Sequence, residues 1–387
     1  DHQPGYMDTG HQAGGVQRHR DHLLTTDRHR ATVRPPFDSP VSTDDRSNSP
    51  SKTDSPVEAD PVVATEKGES MRKAVLSRRE AFGASAAVAL SGLWAGRGRG
   101  GQPAPSRITI GISTLGFSEL TNAQLAAELA EAGIGTVQLF LNQADSRYWR
   151  YNGRVELGEL SPARCRAIAQ AYRSAGLEIH SMGVYTNLIH PDAGERQANL
   201  AYFEGMMRVG REMGVRRFVT ESGYYEPPKP SRLSYHFREA VWKQMLTTVG
   251  RLAEVAERYQ ATVLLEPFFG DFLTTAKRTR VFLEEINSPR IRALLDPANL
   301  LEVNDLEEMF GQLGPWIDCL HAKDRKLHGD RGVAAGQGDL DYVRFVQLIA
   351  RHTPQAPVIL EYVGPDNYRQ ALEHLRGAIR RAGAAAS

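Results

Sequence analysis

From Arg107 onward the chain alternates between short apolar runs and longer segments of helical composition. The runs are Ile108 to Ser113, Thr136 to Leu141, Glu178 to Tyr185, Arg217 to Thr220, Thr262 to Leu265, Ile291 to Leu295, Trp316 to Leu320 and Val358 to Leu360. Thr262 to Leu265 and Ile291 to Leu295 show little alternation, as expected of strands buried on both faces of a parallel sheet. Candidate helices fall between the runs at about 119–132, 161–175, 193–213, 233–259, 272–287, 303–312, 339–352 and 366–383. Ser161 ahead of Pro162, and Pro191-Asp192 ahead of the third long segment, are helix-start signals that fix the phase of the alternation. Eight such units over about 280 residues predict an α/β fold of the (β/α)8 TIM barrel type, for which roughly 250 residues is typical. A doubly wound open sheet is the alternative, but it does not naturally gather four successive strand ends around one point.

Within this pattern the stretch from Ala261 to Leu301 stands out, because two apolar runs each end abruptly in a carboxylate, Glu266 and Asp296. The next two runs end in the same way, at His321 and at Glu361. Residues two apart in a strand share a face, so Leu264 and Glu266, Leu294 and Asp296, Cys319 and His321, and Ile359 and Glu361 can all point into a closed barrel. Four strands in succession then deliver one potential metal ligand each to a single rim.

Composition changes this picture little. Of 387 residues, 41% are hydrophobic, enough for a substantial core, and 47 Lys plus Arg against 46 Asp plus Glu leave a net charge of only +1. That balance gives no support to a dedicated nucleic-acid binder. Two cysteines, Cys165 and Cys319, make neither a disulfide framework nor a cysteine zinc cluster. Cys165 is expected on a helix and Cys319 in barrel packing.

Ahead of the barrel, residues 1–70 are rich in Asp, Arg, Ser, Thr and Pro without apolar period and are expected to be disordered. His2, His11, His19, His22 and His29 fall there at irregular spacing, with nothing to frame a metal site. The chain begins with Asp1, and Met71 is the expected start, the preceding stretch being untranslated or vestigial. Residues 71–106 read as a signal segment and linker. Ser77-Arg78-Arg79-Glu80-Ala81-Phe82 precedes a short, weakly apolar run from Ala81 to Gly96, which resembles a twin-arginine export signal. Twin-arginine export machinery is therefore an expected partner, and the periplasm the expected location. Residues 107–387 form the expected barrel domain.

Glu266, Asp296, His321 and Glu361 are three hard carboxylates and one imidazole. That set suits a divalent ion, Mn2+ first, with Mg2+, Co2+ or Zn2+ as alternatives. Without a cation, three acids converging at a partly buried rim would repel one another.

The segments LLEPF, LLDPANLL, HAKDRK and ILEYV resemble the xylose isomerase-like TIM barrels, the superfamily that includes tagatose and psicose 3-epimerases, hydroxypyruvate isomerase and inosose dehydratase. The resemblance covers Ile108 to Ile379. It implies metal ligands from the fifth to eighth strands, carried here by Glu266, Asp296, His321 and Glu361. It also implies an isomerase or epimerase acting on a keto sugar or related polyol, a small-molecule carbohydrate. A metal acting as Lewis acid stabilises the enediolate formed when an adjacent C–H proton is lost. Glu266 and Glu361 are the expected catalytic acid and base.

Further substrate candidates are His190 after the third strand, with a structural loop histidine as the equal expectation; Glu221 after the fourth, against substrate or behind a metal ligand; and Lys323 with Asp324 just beyond His321, for which a mutual ion pair is the plainer expectation. Asn299 stands where some family epimerases carry a substrate-binding His. Aromatic loops are expected to wall the pocket: Tyr148, Trp149 and Tyr151, Tyr224 and Tyr225, Phe268 and Phe269. Gly336-Gln337-Gly338 offers either an anion cradle or a tight turn.

The rivals are a lyase on the same scaffold, dehydrating a keto-inositol or cleaving a 3-keto-glycoside, and a carbohydrate-binding barrel without catalysis. Abasic-site endonucleases share the superfamily but use many rim histidines; this chain has seven histidines outside the tail. No nucleic-acid partner is expected, and a homo-oligomer is compatible with the sequence.

Overall fold

The computed structural model describes residues 107–223, 235–329 and 332–386. The expected tail and export signal, and the expected pocket residues Tyr224 and Tyr225, lie outside the described residues. No described helix is long and apolar enough to cross a membrane.

Eight parallel strands close into a barrel: β1 Ile110–Ser113, β2 Thr136–Leu139, β3 Glu178–Gly183, β4 Arg217–Glu221, β5 Thr262–Glu266, β6 Ile291–Leu295, β7 Ile317–Arg325 and β8 Val358–Leu360. Each pairs with its sequence neighbours, β8 returns to β1 through Val358 to Leu360 against Ile110 to Ile112, and β6 pairs with β7. The open-sheet alternative is thereby excluded. Helices follow the strands as α1 Asn122–Glu131, α2 Pro162–Ser174, α3 Ala193–Met213, α4 Glu239–Arg258, α5 Ala276–Ile286, α6 Leu306–Leu313, α7 Tyr342–His352 and α8 Tyr368–Arg381.

Helix starts follow local chemistry. Ser161 accepts from Arg164 N ahead of Pro162, and Asp192 accepts from Glu195 N at the head of α3. Thr121 and Asp305 each form a reciprocal capping box. Helix α5 begins at Ala276 rather than near 272 because Thr275 caps it, leaving Phe272 and Leu273 in a buried loop.

Two layers of apolar side chains result. The larger lies between strands and helices and includes Ile112, Leu139, Phe203, Phe282, Phe345 and Leu375. The smaller fills the barrel itself: Phe140, Tyr185, Val219, Leu264, Leu294, Cys319 and Ile359. Cys319 packs in that waist and Cys165 in α2, both buried. Val219 and Leu294 sit midway along inward-facing triplets, Arg217-Val219-Glu221 and Arg292-Leu294-Asp296, whose first members line the lower mouth. The strand period of two thus writes polar, apolar, polar from the bottom of the barrel to the top.

Candidate metal centre and active site

Strand β7 runs five residues past the expected end at Leu320. Lys323 to Arg325 gain an antiparallel partner, Gly332–Ala334, which lies far enough along the chain to escape a local reading. The extension carries His321 and Lys323 inward on one face and turns Asp324 away. Its carboxylate accepts from the backbone N–H groups of Arg325, Gly336 and Leu340. The anion cradled near Gly336-Gln337-Gly338 is therefore Asp324 itself. Gly338 is required there, since a Cβ would stand 2.3 Å from Asp324 Oδ1. The expected Lys323–Asp324 pair does not form.

At the C-terminal rim Glu266, Asp296, His321 and Glu361 are buried, and one donor atom from each lies within 4.8 Å of all the others. His321 Nδ1 is 3.3 Å from Glu266 Oε1, 3.5 Å from Glu361 Oε2 and 3.9 Å from Asp296 Oδ2. Its other nitrogen, Nε2, lies 2.6 Å from Gln138 Oε1 on β2. Because an amide oxygen only accepts, Nε2 carries the proton and Nδ1 faces the carboxylates.

Lys323 enters the same cluster. Its ammonium lies 2.7 Å from Asp296 Oδ2, 3.4 Å from Glu361 Oε2 and 2.7 Å from Asn299 Oδ1. The Asp296 contact is an ion pair outside hydrogen-bonding angles, because Asp296 Oδ2 has no hydrogen-bond partner. Burial works against the lysine's charge, but Asp296 and Glu361 hold its pKa well above the usual range. Burial likewise opposes charge on His321, and Glu361 and Glu266 outweigh it, raising the imidazole to about 9.

Asn299 ties the two halves together. Its Oδ1 accepts from Lys323 and its Nδ2 donates to Glu266 Oε1 at 2.9 Å, so this amide positions both side chains. The other oxygen, Glu266 Oε2, accepts from Tyr185 OH at 2.6 Å. Glu221, paired with Glu266 across the β4–β5 ladder, accepts from Tyr151 OH at 2.6 Å. Burial first, then Asp271 and Glu266, pushes the Glu221 carboxyl well above its ordinary range.

An aromatic wall adjoins the cluster through Tyr185. Phe140 stacks on Tyr185 at 5.7 Å and meets Trp149 edge-on at 5.3 Å, while Trp149 and Tyr151 are 6.5 Å apart. Of the expected aromatic residues, Trp149 and Tyr151 stand in this wall. Phe268 and Phe269 pack on each other, Phe269 beneath Arg325, and Tyr148 OH donates to Glu159. His190 does not join the centre: its Nδ1 accepts from Asp192 N, at the start of α3. Gln138 and Tyr185 were not singled out in the sequence. Both sit at inward positions of apolar runs, where a polar residue is the available signal.

The residues fit a divalent cation. Asp296 Oδ2 and His321 Nδ1 are buried without hydrogen-bond partners, both face the shared centre, and the donor set is three hard oxygens with one imidazole.

A closed parallel barrel with such a cluster at its upper rim defines an α/β-barrel protein with a candidate divalent-metal centre. The chain belongs to the xylose isomerase-like TIM barrel family, whose model matches residues 126–378. Among characterised proteins it is 24% identical over 170 residues to "Probable L-ribulose-5-phosphate 3-epimerase UlaE" of Mycoplasma pneumoniae. That match covers 43% of this chain and only about half, 52%, of the relative. Solved structures share the fold. A D-tagatose 3-epimerase-like protein superposes with a TM-score of 0.60 at 15% identity, covering 71% of this chain and 98% of the other. The IOLI protein, solved with a bound zinc atom, gives 0.56 at 16% identity with the same coverage of both chains.

Proposed function

We propose that this protein is a divalent-metal-dependent isomerase or epimerase of keto sugars or related polyols, with Glu266 and Glu361 as the acid/base pair. The observation that carries the reading is the convergence of three buried carboxylates, two of them glutamates, and an imidazole within 4.8 Å. The epimerase in the relative's name and the zinc in the IOLI structure support it.

Glu266, Asp296, His321 and Glu361 would hold the metal, Mn2+ by preference, which supplies Lewis-acid polarisation of the substrate carbonyl. The chain's own groups do the rest. Glu266 is fixed through both oxygens by Asn299 and Tyr185, so its lone pairs are aimed rather than free to swing. Glu361 reaches the centre from β8, two strands beyond Asp296. Proton removal next to the carbonyl by one glutamate gives an enediolate, and return of a proton by the other inverts the carbon. Lys323 places a buried positive charge beside the oxygen on which negative charge develops. The ring wall of Trp149, Tyr151 and Tyr185 excludes water and packs against sugar C–H faces. The export signal expected between Ser77 and Gly96 belongs to the same proposal, since an exported enzyme meets unphosphorylated sugars.

The test is solvent-deuterium incorporation followed by NMR, using the full chain with Mn2+ and a panel of unphosphorylated ketoses, inososes and 3-keto-glycosides. Exchange next to the carbonyl is expected, and Glu266→Gln or Glu361→Gln should slow it by about 10²–10⁴-fold. A product lacking the elements of water would move the assignment to the lyase. Metal-loaded protein that binds sugars without exchange would leave a binding barrel instead.

A further inference from the structure

The lower mouth of the barrel, formed where the strands begin, holds a cavity of about 320 Å3. That is within the roughly 300–1,000 Å3 range of small-molecule sites. Thr136, Glu178, His180, Arg217, Arg292 and Asp318 contribute to its lining. The ordinary role of this face in a TIM barrel is stability, which predicts that its charges neutralise one another. They do so only in part.

Arg217 Nε donates to Asp318 Oδ1 at 2.7 Å, which accounts for one pair. Arg292 is different. It occupies the inward register two residues below Leu294, yet its guanidinium makes no hydrogen bond or ion pair with any described residue. Glu178 lies at the exposed edge of the cavity. His180 is only 8% exposed, and its Nδ1 is buried without a hydrogen-bond partner; Nε2 stands 3.9 Å from Asp318 Oδ1. Burial, with Arg217 adding to it and Asp318 opposing, lowers the imidazole to about 4, so the ring is neutral and Nδ1 can meet a hydroxyl group.

An unpaired guanidinium, a second guanidinium with nitrogens beyond Nε, and an unpartnered imidazole nitrogen surround a polar space too large for one inorganic anion. We infer that the lower mouth is a second binding site for a monosaccharide-sized anion, a sugar carrying a carboxylate or a phosphate group. Arg292 and Arg217 hold the charged end, and His180, Thr136 and Asp318 meet the hydroxyls. The waist of Val219, Leu264, Leu294, Cys319 and Ile359 separates this site from the upper rim, so it does not rest on the function proposed there.

Isothermal titration of the full chain with D-gluconate, D-glucose 6-phosphate and uncharged D-glucose tests the site, and the first two arms tell a carboxylate from a phosphate. Saturable binding of at least one anion, absent for glucose, is expected. Arg292→Gln should weaken it by about tenfold or more, because a charge-assisted contact is lost. Glu361→Gln, at the opposite end, should leave it intact. Should Arg292→Gln fail to fold, His180→Gln and the shift of the His180 ring protons on titrating the unaltered chain provide the readout. Absence of saturable binding by both anions, or binding that survives Arg292→Gln and disappears in Glu361→Gln, would overturn the inference.

Discussion

The two ends of the barrel are built from the same strands, with bulges on β3 and β7 shifting the inward register between them, and they hold charge in opposite ways. At the top, three carboxylates, an imidazole and an ammonium crowd into one buried cluster, and two donor atoms in it lack hydrogen bonds. At the bottom, charges of both signs are spread around a 320 Å3 cavity, and one arginine–aspartate pair is satisfied directly. Three buried carboxylates against one ammonium leave an excess of acid that calls for a cation, whereas dispersed charge with an arginine left over suits an organic anion. The apolar waist lets both environments coexist in one barrel, because neither charge set is brought into contact with the other.

Cutting into that waist is the most severe way to break the contrast. Leu294 is fully buried between Arg292 and Asp296, and Leu294→Ala should cost about 2–5 kcal/mol in urea unfolding. A loss below 1 kcal/mol, as a rough floor, would mean the waist is not a packed separator.

The upper rim can be sharpened through Gln138, which orients His321 from outside the donor set. Gln138→Leu removes the acceptor of Nε2–H, and calorimetry should find divalent-metal affinity weakened by about 10–100-fold with little change in fold. Unchanged affinity would show that the imidazole is aligned by the carboxylates alone.

Smallest per step is the effect of pH. With His321 raised to about 9, a proton occupies Nδ1 below that value, and a cation must displace it. Apparent metal affinity should therefore rise with pH, by up to about tenfold per unit, and level off above 9, with proton release visible as a buffer-dependent heat. The metal-free protein should show the reverse dependence in urea unfolding followed across pH. A histidine raised above its ordinary 6.5 contributes stability that is present in full below 6.5 and lost as pH climbs through 9.

Much of this architecture was legible in the chain. The apolar runs and caps placed the eight strands and helices to within a few residues, since buried parallel strands and capped amphipathic helices leave local signatures. Glu266, Asp296, His321 and Glu361 were visible because each follows an apolar run at the same phase. Other residues were misjudged where a local reading competes with a distant partner. Lys323 and Asp324 are adjacent in sequence, but strand alternation sends them to opposite faces, one to the carboxylates and the other to backbone N–H groups. His190, for which a substrate contact and a loop role were equal expectations, has its Nδ1 taken up at the start of α3.

By itself the sequence determined the order of the elements, the barrel as their most economical closure, and the inward phase of Glu266, Asp296, His321 and Glu361, all consequences of short-range periodicity. The tertiary structure decided which polar residues meet. Gln138 reaches His321 across 183 positions of sequence and Tyr185 reaches Glu266 across 81. Asn299 bridges Glu266 and Lys323, and Arg292 is left without a partner among the described residues at the lower mouth. Such pairings depend on barrel closure and register, which bring distant strands to a few ångströms, and no local pattern of hydrophobic and polar residues encodes those distances.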